Sequence, residues 1–450
     1  MPPYRLAGAE RANTIDRGPS AERASFLEES PHLETLQNHD IPLAEASTPS
    51  LEALKAFSAG LRVHYTSGAK AALPFFQRAI QIDPNFAMAH SYLGRVYANL
   101  NQNELSAESI RRAWQLRDRA SDRERFGIAV RYEALVTGNL ERLHDISDEW
   151  TRTYPRDPQP YIGLAIYDEA IGQFEDALRA AQRSIQAEPD FVAGYDSLAF
   201  NQLFLNRPAD SEHTIRLAAS HSLQNNGLLT TQYDAAFLRG DQARMQWAAA
   251  QAREKSDADD WISNHEAFAL AFRGHLKQSQ IASRRAVQQA RAAGDAERAA
   301  LWQAGAAIHE AFFGNTREAR QSALLARALS ADREVAYGAA FALALAGHTW
   351  EAQAIADDIE QRFPEATCVR CCYLPTLRAQ LALNRAEATK ALSLLETVGP
   401  YELGVHESTT RAFFELCTRL TFVAKSIWRY IATTRQRSSS RRSWTALESC

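Results

Sequence analysis

Small and apolar residues recur every 34 positions along this 450-residue chain, most clearly between residues 53 and 118. Two blocks align there without a gap. Their small residues fall at the same three places: Gly60 and Gly94, Ala72 and Ser106, and Ala79 and Ala113. Two helices of one block can approach closely only where side chains are small, so each block predicts a helix–turn–helix unit. Pro84 lacks an N–H and is placed to stop the second helix of the first unit.

The same register continues after a predicted three-residue insertion between Arg117 and Arg125. Blocks beginning at Pro158 and Val192 again place aromatic, apolar and small residues at matching positions. An independent set of residues, 34 apart, marks the turn between the two helices of a unit: Gly138, Gly172, Asn206, Gly240 and Gly274. Gly and Asn tolerate the left-handed backbone conformation that ends a helix.

Beyond Gly274 the spacing changes to 40 residues at Gly314 and then to 33 at Gly347. We therefore expect clear repeats over residues 53–222 and degenerate repeats over 226–400. No segment has the alternation of a β-strand. The sequence predicts an all-α superhelical solenoid of about ten antiparallel helix pairs over residues 50–400, well above the roughly three needed for a stable stack.

A 34-residue period with these small residues is the signature of the tetratricopeptide repeat (TPR). The segments Thr48–Gly60 and Ala72–Ala89 resemble the TPR region that follows the kinase domain of many bacterial serine/threonine protein kinases and that lies behind winged-helix domains in bacterial regulators. The resemblance extends from about Pro42 to Gly404. The glycine-rich loop, the V-A-I-K lysine, H-R-D and D-F-G of a kinase do not occur. The resemblance therefore implies a sensory or scaffolding module rather than phosphoryl transfer.

Composition and the two ends of the sequence limit the expected partners and the expected cellular compartment. A net charge of −4 gives no reason to expect nucleic acid on the solenoid. No signal peptide or membrane span is indicated, and five cysteines fit a reducing compartment, so we expect a cytoplasmic protein. Residues 1–49 read as a mostly disordered leader.

Residues 401–450 read as a basic tail outside the repeats, with a helix at most near Arg411–Ala432. Residues 425–450 carry six basic side chains and one acidic side chain. Two explanations stay open: a tail that contacts nucleic acid or anionic lipid, or a frameshifted end that replaced further repeats. The frameshift is favoured, because it leaves the stack without a polar capping helix.

Candidate chemistry is sparse. Cys368, Cys371 and Cys372 lack the second cysteine pair that a zinc site needs, and they fit small buried hydrophobes better. The histidines form no H-E-x-x-H or H-x-x-x-H pair. The carboxylates between Asp257 and Asp260 suit a helix start. We expect no catalytic residue, no cofactor and no metal.

In TPR arrays the first helix of each unit lines a concave groove. The positions that face the groove predict a largely apolar and aromatic surface for a peptide or protein partner. Nine residues are predicted to form it: Phe57, Leu61, Met88, Arg95, Arg125, Tyr132, Ile162, Ile166 and Phe200. The alternative is that many of them pack against the next repeat and expose no patch. A clamp for a C-terminal carboxylate is disfavoured, because only Arg125 matches its pattern.

These features predict a non-catalytic protein-interaction scaffold. The alternative is a detached sensory or regulatory region of a bacterial serine/threonine kinase or winged-helix transcriptional regulator, acting in signalling.

Overall fold

A computed structural model describes residues 48–254, 259–401 and 404–405 of the chain. Within these residues it contains twenty α-helices and no β-strand. The helices form ten consecutive pairs: α1 Leu51–Ser67 and α2 Ala69–Ile82; α3 Ala87–Asn99 and α4 Asn103–Gln115; α5 Asp122–Tyr132 and α6 Leu140–Thr153; α7 Gln159–Ala170 and α8 Phe174–Ala187; α9 Val192–Phe204 and α10 Pro208–Ser220; α11 Asn226–Leu238 and α12 Gln242–Glu254; α13 Asp259–Phe272 and α14 Leu276–Ala292; α15 Ala296–Phe312 and α16 Thr316–Leu329; α17 Arg333–Leu345 and α18 Thr349–Arg362; α19 Leu374–Asn384 and α20 Ala388–Glu396.

This architecture confirms the all-α TPR solenoid. The division into clear and degenerate repeats stays a prediction. The expected leader except residues 48–49, and the expected tail except positions 401 and 404–405, lie outside the described residues.

The turns between paired helices are made by residues in the left-handed conformation. The five turn residues named above have φ between 57° and 81°. Asn101, at φ 58°, makes the corresponding turn between α3 and α4, and Ala386, at φ 62°, makes it between α19 and α20. Left-handed geometry is strained for alanine, so position 386 is the exception to the glycine and asparagine rule.

The expected insertion lies between α4 and α5. A 3₁₀ turn, Arg117–Arg119, follows α4 directly. Ser121 then starts α5 with a capping box, in which its hydroxyl accepts from the Glu124 N–H and the Glu124 carboxylate accepts from the Ser121 N–H. Because this cap satisfies two amides at once, it fixes the new start of the register.

Small residues set the distance between paired helices. A methyl group added at Gly94 of α3 would lie 2.6 Å from Ile110 of α4. Beside this contact, Phe57 packs against the rings of Phe76, Phe86 and Tyr92, with ring centres 4.9 to 5.7 Å away. The core is therefore built between and within neighbouring pairs, as a stack of repeats requires.

The stack also contacts itself across a turn of the superhelix. At the start of α4, the Glu104 N–H donates to the carboxylate of Glu297 in α15, 3.1 Å away. Asn103 Nδ2 donates to Asp332 Oδ2 at 3.1 Å, and Gln102 donates to Asp295. These residues are about 200 positions apart in the sequence, so the second helix pair meets the eighth and ninth. We call this contact the first seam.

A second seam joins the third helix pair to the last. Thr367 donates its N–H to the Gly138 carbonyl at 2.9 Å, and its hydroxyl accepts from the Leu140 N–H at 3.0 Å. The Tyr401 hydroxyl donates to Glu141 Oε1 at 3.1 Å. The two seams close the superhelix on itself, and we call the cavity lined by the first helices of the early pairs the channel.

Candidate binding channel

The first helices of the first five pairs supply most of the channel wall. Its cavity volume is about 300 Å³, which is the lower end of the range of roughly 300–1,000 Å³ typical of ligand pockets. The wall residues that carry the argument below are His64, Arg95, Val130, Arg131, Leu135, Gln159, Ile162, Ile166, Glu169, Asp196, Ser197, Phe200 and Val405.

One part of the wall is basic. The guanidinium carbons of Arg95 and Arg131 lie 5.8 and 4.7 Å from the centre of the Tyr92 ring, which positions both cations by cation–π contact. Burial, together with the positive charges of Arg95 and Arg131, lowers the pKa of His64 to about 3. His64 is therefore neutral at pH 7, and the two arginines carry the charge. We call these three residues the basic pole.

Three of the hydrogen bonds of Arg131 fix the position of its guanidinium. It donates to Ser91 Oγ at 3.1 Å, to the Gly127 carbonyl at 3.0 Å and to Gln159 Oε1 at 2.6 Å. These bonds orient the guanidinium. With Arg95 beside it, this part of the wall suits an anionic group on a channel ligand.

A second part of the wall is acidic. The buried Glu169 carboxylate accepts from Ser197 Oγ at 3.0 Å and from Asn201 Nδ2 at 2.6 Å. Asp196, on the same helix as Ser197, accepts from Asn225 Nδ2 at 3.0 Å. Both residues lie on the channel wall, and we call Glu169 and Asp196 the acidic pole.

Helix α7 sets the distance between the poles. Gln159, bonded to Arg131, and Glu169 lie ten positions apart on this helix, which corresponds to about 15 Å at 1.5 Å per residue. Ile162 and Ile166 lie between them and face the channel. Val130 and Leu135 extend the apolar stretch on the neighbouring repeat. The wall therefore presents positive charge, an apolar stretch and negative charge in that order.

Four of the nine residues predicted for the groove lie on this wall: Arg95, Ile162, Ile166 and Phe200. The other five are placed elsewhere. Phe57 and Met88 are buried in the core of the first repeats, and Leu61 packs against that core. Tyr132 stacks on Trp114 with ring centres 4.5 Å apart, and Arg125 is exposed beside Asp122.

The nine predicted residues do not include Arg131, Glu169 or Asp196. A usable signal existed for Glu169, because it follows Ile162 and Ile166 at the four- and three-residue spacing of one helix face. Nothing in the sequence alone shows that Arg131 and Gln159, 28 positions apart, share a hydrogen bond.

The other candidate groups have structural partners. His265 shares a hydrogen bond with Asp234 at 2.9 Å, and His309 lies 3.3 Å from Ser279 Oγ. Asp260 stands in the first turn of α13, as expected of a capping carboxylate, and it also forms a buried ion pair with Arg298.

Two further expectations concern metals and membranes. Across residues 48–254, 259–401 and 404–405, no three His, Cys, Asp or Glu side chains are grouped as metal ligands would be. In the same part of the chain, no helix combines the length and apolarity needed to cross a bilayer.

A match to a family model supports the repeat assignment within the first two helix pairs. The family model for the tetratricopeptide repeat matches residues 75–107. Among solved structures, yeast Tom70 is 12% identical, with 93% of this chain and 96% of that chain covered and a TM-score of 0.46. Cut9–Hcn1 of the APC/C is 13% identical over 76% and 67% of the two chains, with a TM-score of 0.41. PilW, a type IV pilus biogenesis factor, is 20% identical over 46% and 94%, with a TM-score of 0.30. No characterised protein matches the sequence.

Proposed function

This chain is a solenoid of tetratricopeptide repeats, and we propose that it is a non-catalytic scaffold that binds a peptide or protein segment inside its central channel. The observation that carries the proposal is the order of the wall: basic pole, apolar stretch, acidic pole. A peptide with an acidic residue, apolar anchors and a donor group about 15 Å from the acid would match all three parts.

The apolar stretch supplies affinity and the poles supply orientation. Apolar anchors in a desolvated groove dominate peptide binding, whereas charges fix register and suppress wrong partners. Arg95 is the pole residue best placed to meet an incoming acid, because it is only half-buried and reaches the channel. Nothing in this arrangement resembles a nucleophile with its base, so we propose no catalytic residue, cofactor or metal. We keep the cytoplasm as the proposed compartment.

A matched pair of charge reversals tests this placement. Arg95→Glu changes the channel wall, whereas Arg125→Glu changes an exposed arginine on the next repeat. We expect Arg95→Glu to weaken partner binding by about 2 kcal/mol, or roughly 30-fold in Kd, and Arg125→Glu to leave it within about twofold.

Partners are first captured from the native lysate, and Kd is then measured on the identified segment. Circular dichroism must show equal helix content in both variants. Equal losses of affinity in the two variants would place the binding surface outside the channel.

The alternative proposal, a detached regulatory region of a serine/threonine kinase or winged-helix regulator, uses the same channel with a different partner. The resemblance of Thr48–Gly60 supports it. This alternative would be supported if the captured partner contains a kinase or winged-helix domain. Its binding should then be lost in Arg95→Glu and retained in Arg125→Glu.

A further inference from the structure

The channel is small for the segment proposed to bind in it. Its cavity volume of about 300 Å³ is that of a pocket for one small ligand. A segment that reaches both poles spans about 15 Å, which takes about four or five extended residues. The wall therefore has to open before such a segment can enter.

The first seam holds two parts of the channel wall together. On one side, Asn99 lines the channel at the end of α3, and Leu100 follows it. On the other side, Trp261 of α13 lines the channel, and its neighbour Asp260 is paired with Arg298. Arg298 joins the two sides, because its Nη1 atom donates to the Leu100 carbonyl at 3.4 Å. Separation of the first seam would move these two parts of the wall apart.

The contacts described across the first seam are polar. The apolar residues on its two sides belong to different cores: Leu100 packs with the early helix pairs, whereas Trp302 and Val335 pack with pairs seven to ten. A few hydrogen bonds separate at a lower cost than a packed apolar interface does. Opening also offers water or ligand to the Trp261 Nε1–H, which is buried with no hydrogen-bond partner among the described residues.

Three carboxyl groups meet at the first seam. Glu297 of α15 accepts from the Glu104 N–H at 3.1 Å, and Asp332, directly before α17, accepts from Asn103 Nδ2 at 3.1 Å. The Glu104 carboxyl group itself accepts from the Ala331 N–H at 3.3 Å. Glu297 therefore faces two other carboxyl groups, one from each of the elements packed against it.

This arrangement makes the charge of Glu297 sensitive to pH near neutrality. Burial, with the charges of Asp332 and Glu104, raises the pKa of Glu297 to about 7, although hydrogen bonds from the Glu104 and Asn103 amides act in the opposite direction. Below that pH the neutral group accepts from the amide without repulsion. Above it, the Glu297 anion is repelled by both neighbours.

The second seam is built from groups that do not titrate in this range. The Gly138 carbonyl accepts from the Thr367 N–H, and the Leu140 N–H donates to the Thr367 hydroxyl. These two bonds keep the third and the last helix pairs together at any pH between 5 and 9. The second seam can therefore act as the fixed side while the first seam separates.

We propose that the first seam is a clasp over the channel, which opens when Glu297 loses its proton and admits the partner segment between α3 and α13. Opening of the clasp stands without any partner, whereas entry of the segment rests on the function proposed above.

The direction of the pH effect follows from the raised pKa. A group whose pKa is raised in the closed form holds the clasp shut at low pH and releases it as pH rises through 7. With an ordinary glutamate pKa in the open form, the opening equilibrium should increase about tenfold between pH 6 and pH 8.

Labelling of a thiol on the channel wall tests the opening in the full-length chain. Ile166 is replaced by cysteine, and peptide mass spectrometry gives its rates of reaction with iodoacetamide and with bulky fluorescein maleimide. The ratio of the bulky rate to the small one cancels the effect of pH on the thiol. Ile281→Cys on α14, where the parent residue is 59% exposed, is the control position whose ratio should not change with pH.

We expect the ratio at Ile166→Cys to rise about tenfold between pH 6 and pH 8. Adding Glu297→Gln should keep the ratio at its low value throughout, because the amide oxygen still accepts from the Glu104 N–H and carries no charge. Glu318→Gln is the matched control, since Glu318 is an exposed glutamate in the first turn of the next helix, α16, and it should leave the rise unchanged. Circular dichroism checks that helix content is equal in all variants.

A flat ratio in the parent chain, or an equal rise in Glu297→Gln, would overturn the clasp. Entry is tested with the captured partner segment, which should associate about tenfold more slowly with Glu297→Gln than with the parent at pH 8. Equal association rates beside the expected labelling would overturn entry through the clasp. If the labelling is as expected and no segment binds to the channel, the opening is supported and the proposed function fails.

Discussion

The buried side chain of Arg298 is expected to be the most sensitive point of the first seam. It is 1% exposed and contacts three parts of the chain. Its Nε atom lies 2.7 Å from Asp260 Oδ2 on α13, and its Nη2 atom lies 2.6 Å from Asp295 Oδ2, before its own helix α15. Its Nη1 atom donates to the Leu100 carbonyl at 3.4 Å, across the superhelical turn.

Arg298→Met keeps the aliphatic stem and removes the charge. It leaves the Asp260 and Asp295 carboxylates buried without their cation, and breaking a buried ion pair in this way typically costs about 3–5 kcal/mol. The exposed pair of Arg320 and Glu351 is the matched control, because solvent screens that pair and Arg320→Met should cost far less stability. Arg298→Lys should recover only part of the loss, since an ammonium cannot serve three acceptors in the fork geometry of arginine.

The pH dependence gives a second, independent readout. Burial raises the pKa of Asp260, and the charge of Arg298 opposes that rise. Without Arg298 the pKa should rise further, and Asp260 then becomes protonated at a higher pH in the folded state. A raised folded-state pKa means that stability is present at low pH and lost as pH rises. The defect of Arg298→Met should therefore shrink on acidification.

Urea unfolding followed by circular dichroism, with hydrogen exchange at α13 and α15, measures both effects. Hydrogen exchange is needed because a repeat array does not have to unfold in one step. An Arg298→Met variant whose free energy of unfolding falls no more than that of Arg320→Met would refute the structural role assigned to Arg298.

Two further predictions follow from the packing and from the first seam. Gly94→Leu should cost about 1–3 kcal/mol by overpacking against Ile110, and a thermal melt equal to that of the parent would show that the assigned register is wrong. Burial, together with the nearby charges of Asp332 and Glu104, raises the pKa of Glu297 to about 7. The seam should therefore hold best below about pH 4.5 and loosen as pH rises through 7, with faster hydrogen exchange in α4. Glu297→Gln should remove this pH dependence between pH 5 and 8, and an unchanged profile would contradict the assignment.

The helix pairs could be predicted from sequence because their determinants are local. A left-handed residue between two helices and a small residue at their contact are both visible in one 34-residue block. Gly314 and Gly347, whose spacing departs from 34, still lie between the two helices of the eighth and the ninth pairs. Even the degenerate repeats keep these two signals, which is why the count of about ten pairs is confirmed.

The seams and much of the channel wall could not be predicted in the same way. Glu297 contacts the start of α4 from 193 positions away, and no periodic pattern specifies which carboxylate meets which amide. Five of the nine predicted groove residues lie away from the channel wall for a related reason. A residue of the first helix of a pair, such as Phe57, can pack against a neighbouring repeat or face the channel. The superhelical twist between repeats determines which of the two it does.

Because the seams close the superhelix, the stability of one repeat can depend on repeats that are distant in the sequence. In an open solenoid each repeat is coupled only to its neighbours, and damage stays local. Here α4 has no side-chain cap of its own, and the Glu297 carboxyl group accepts from the Glu104 N–H in its first turn. A helix N-terminus whose amide is paired with a distant side chain depends on the eighth repeat being folded. Arg298→Met should therefore raise hydrogen exchange in α4 as well as in α13 and α15, although α4 lies far from it in sequence. If hydrogen-exchange protection is lost only in α13 and α15, the first seam forms contacts but does not couple the stability of α4 to that of the eighth repeat.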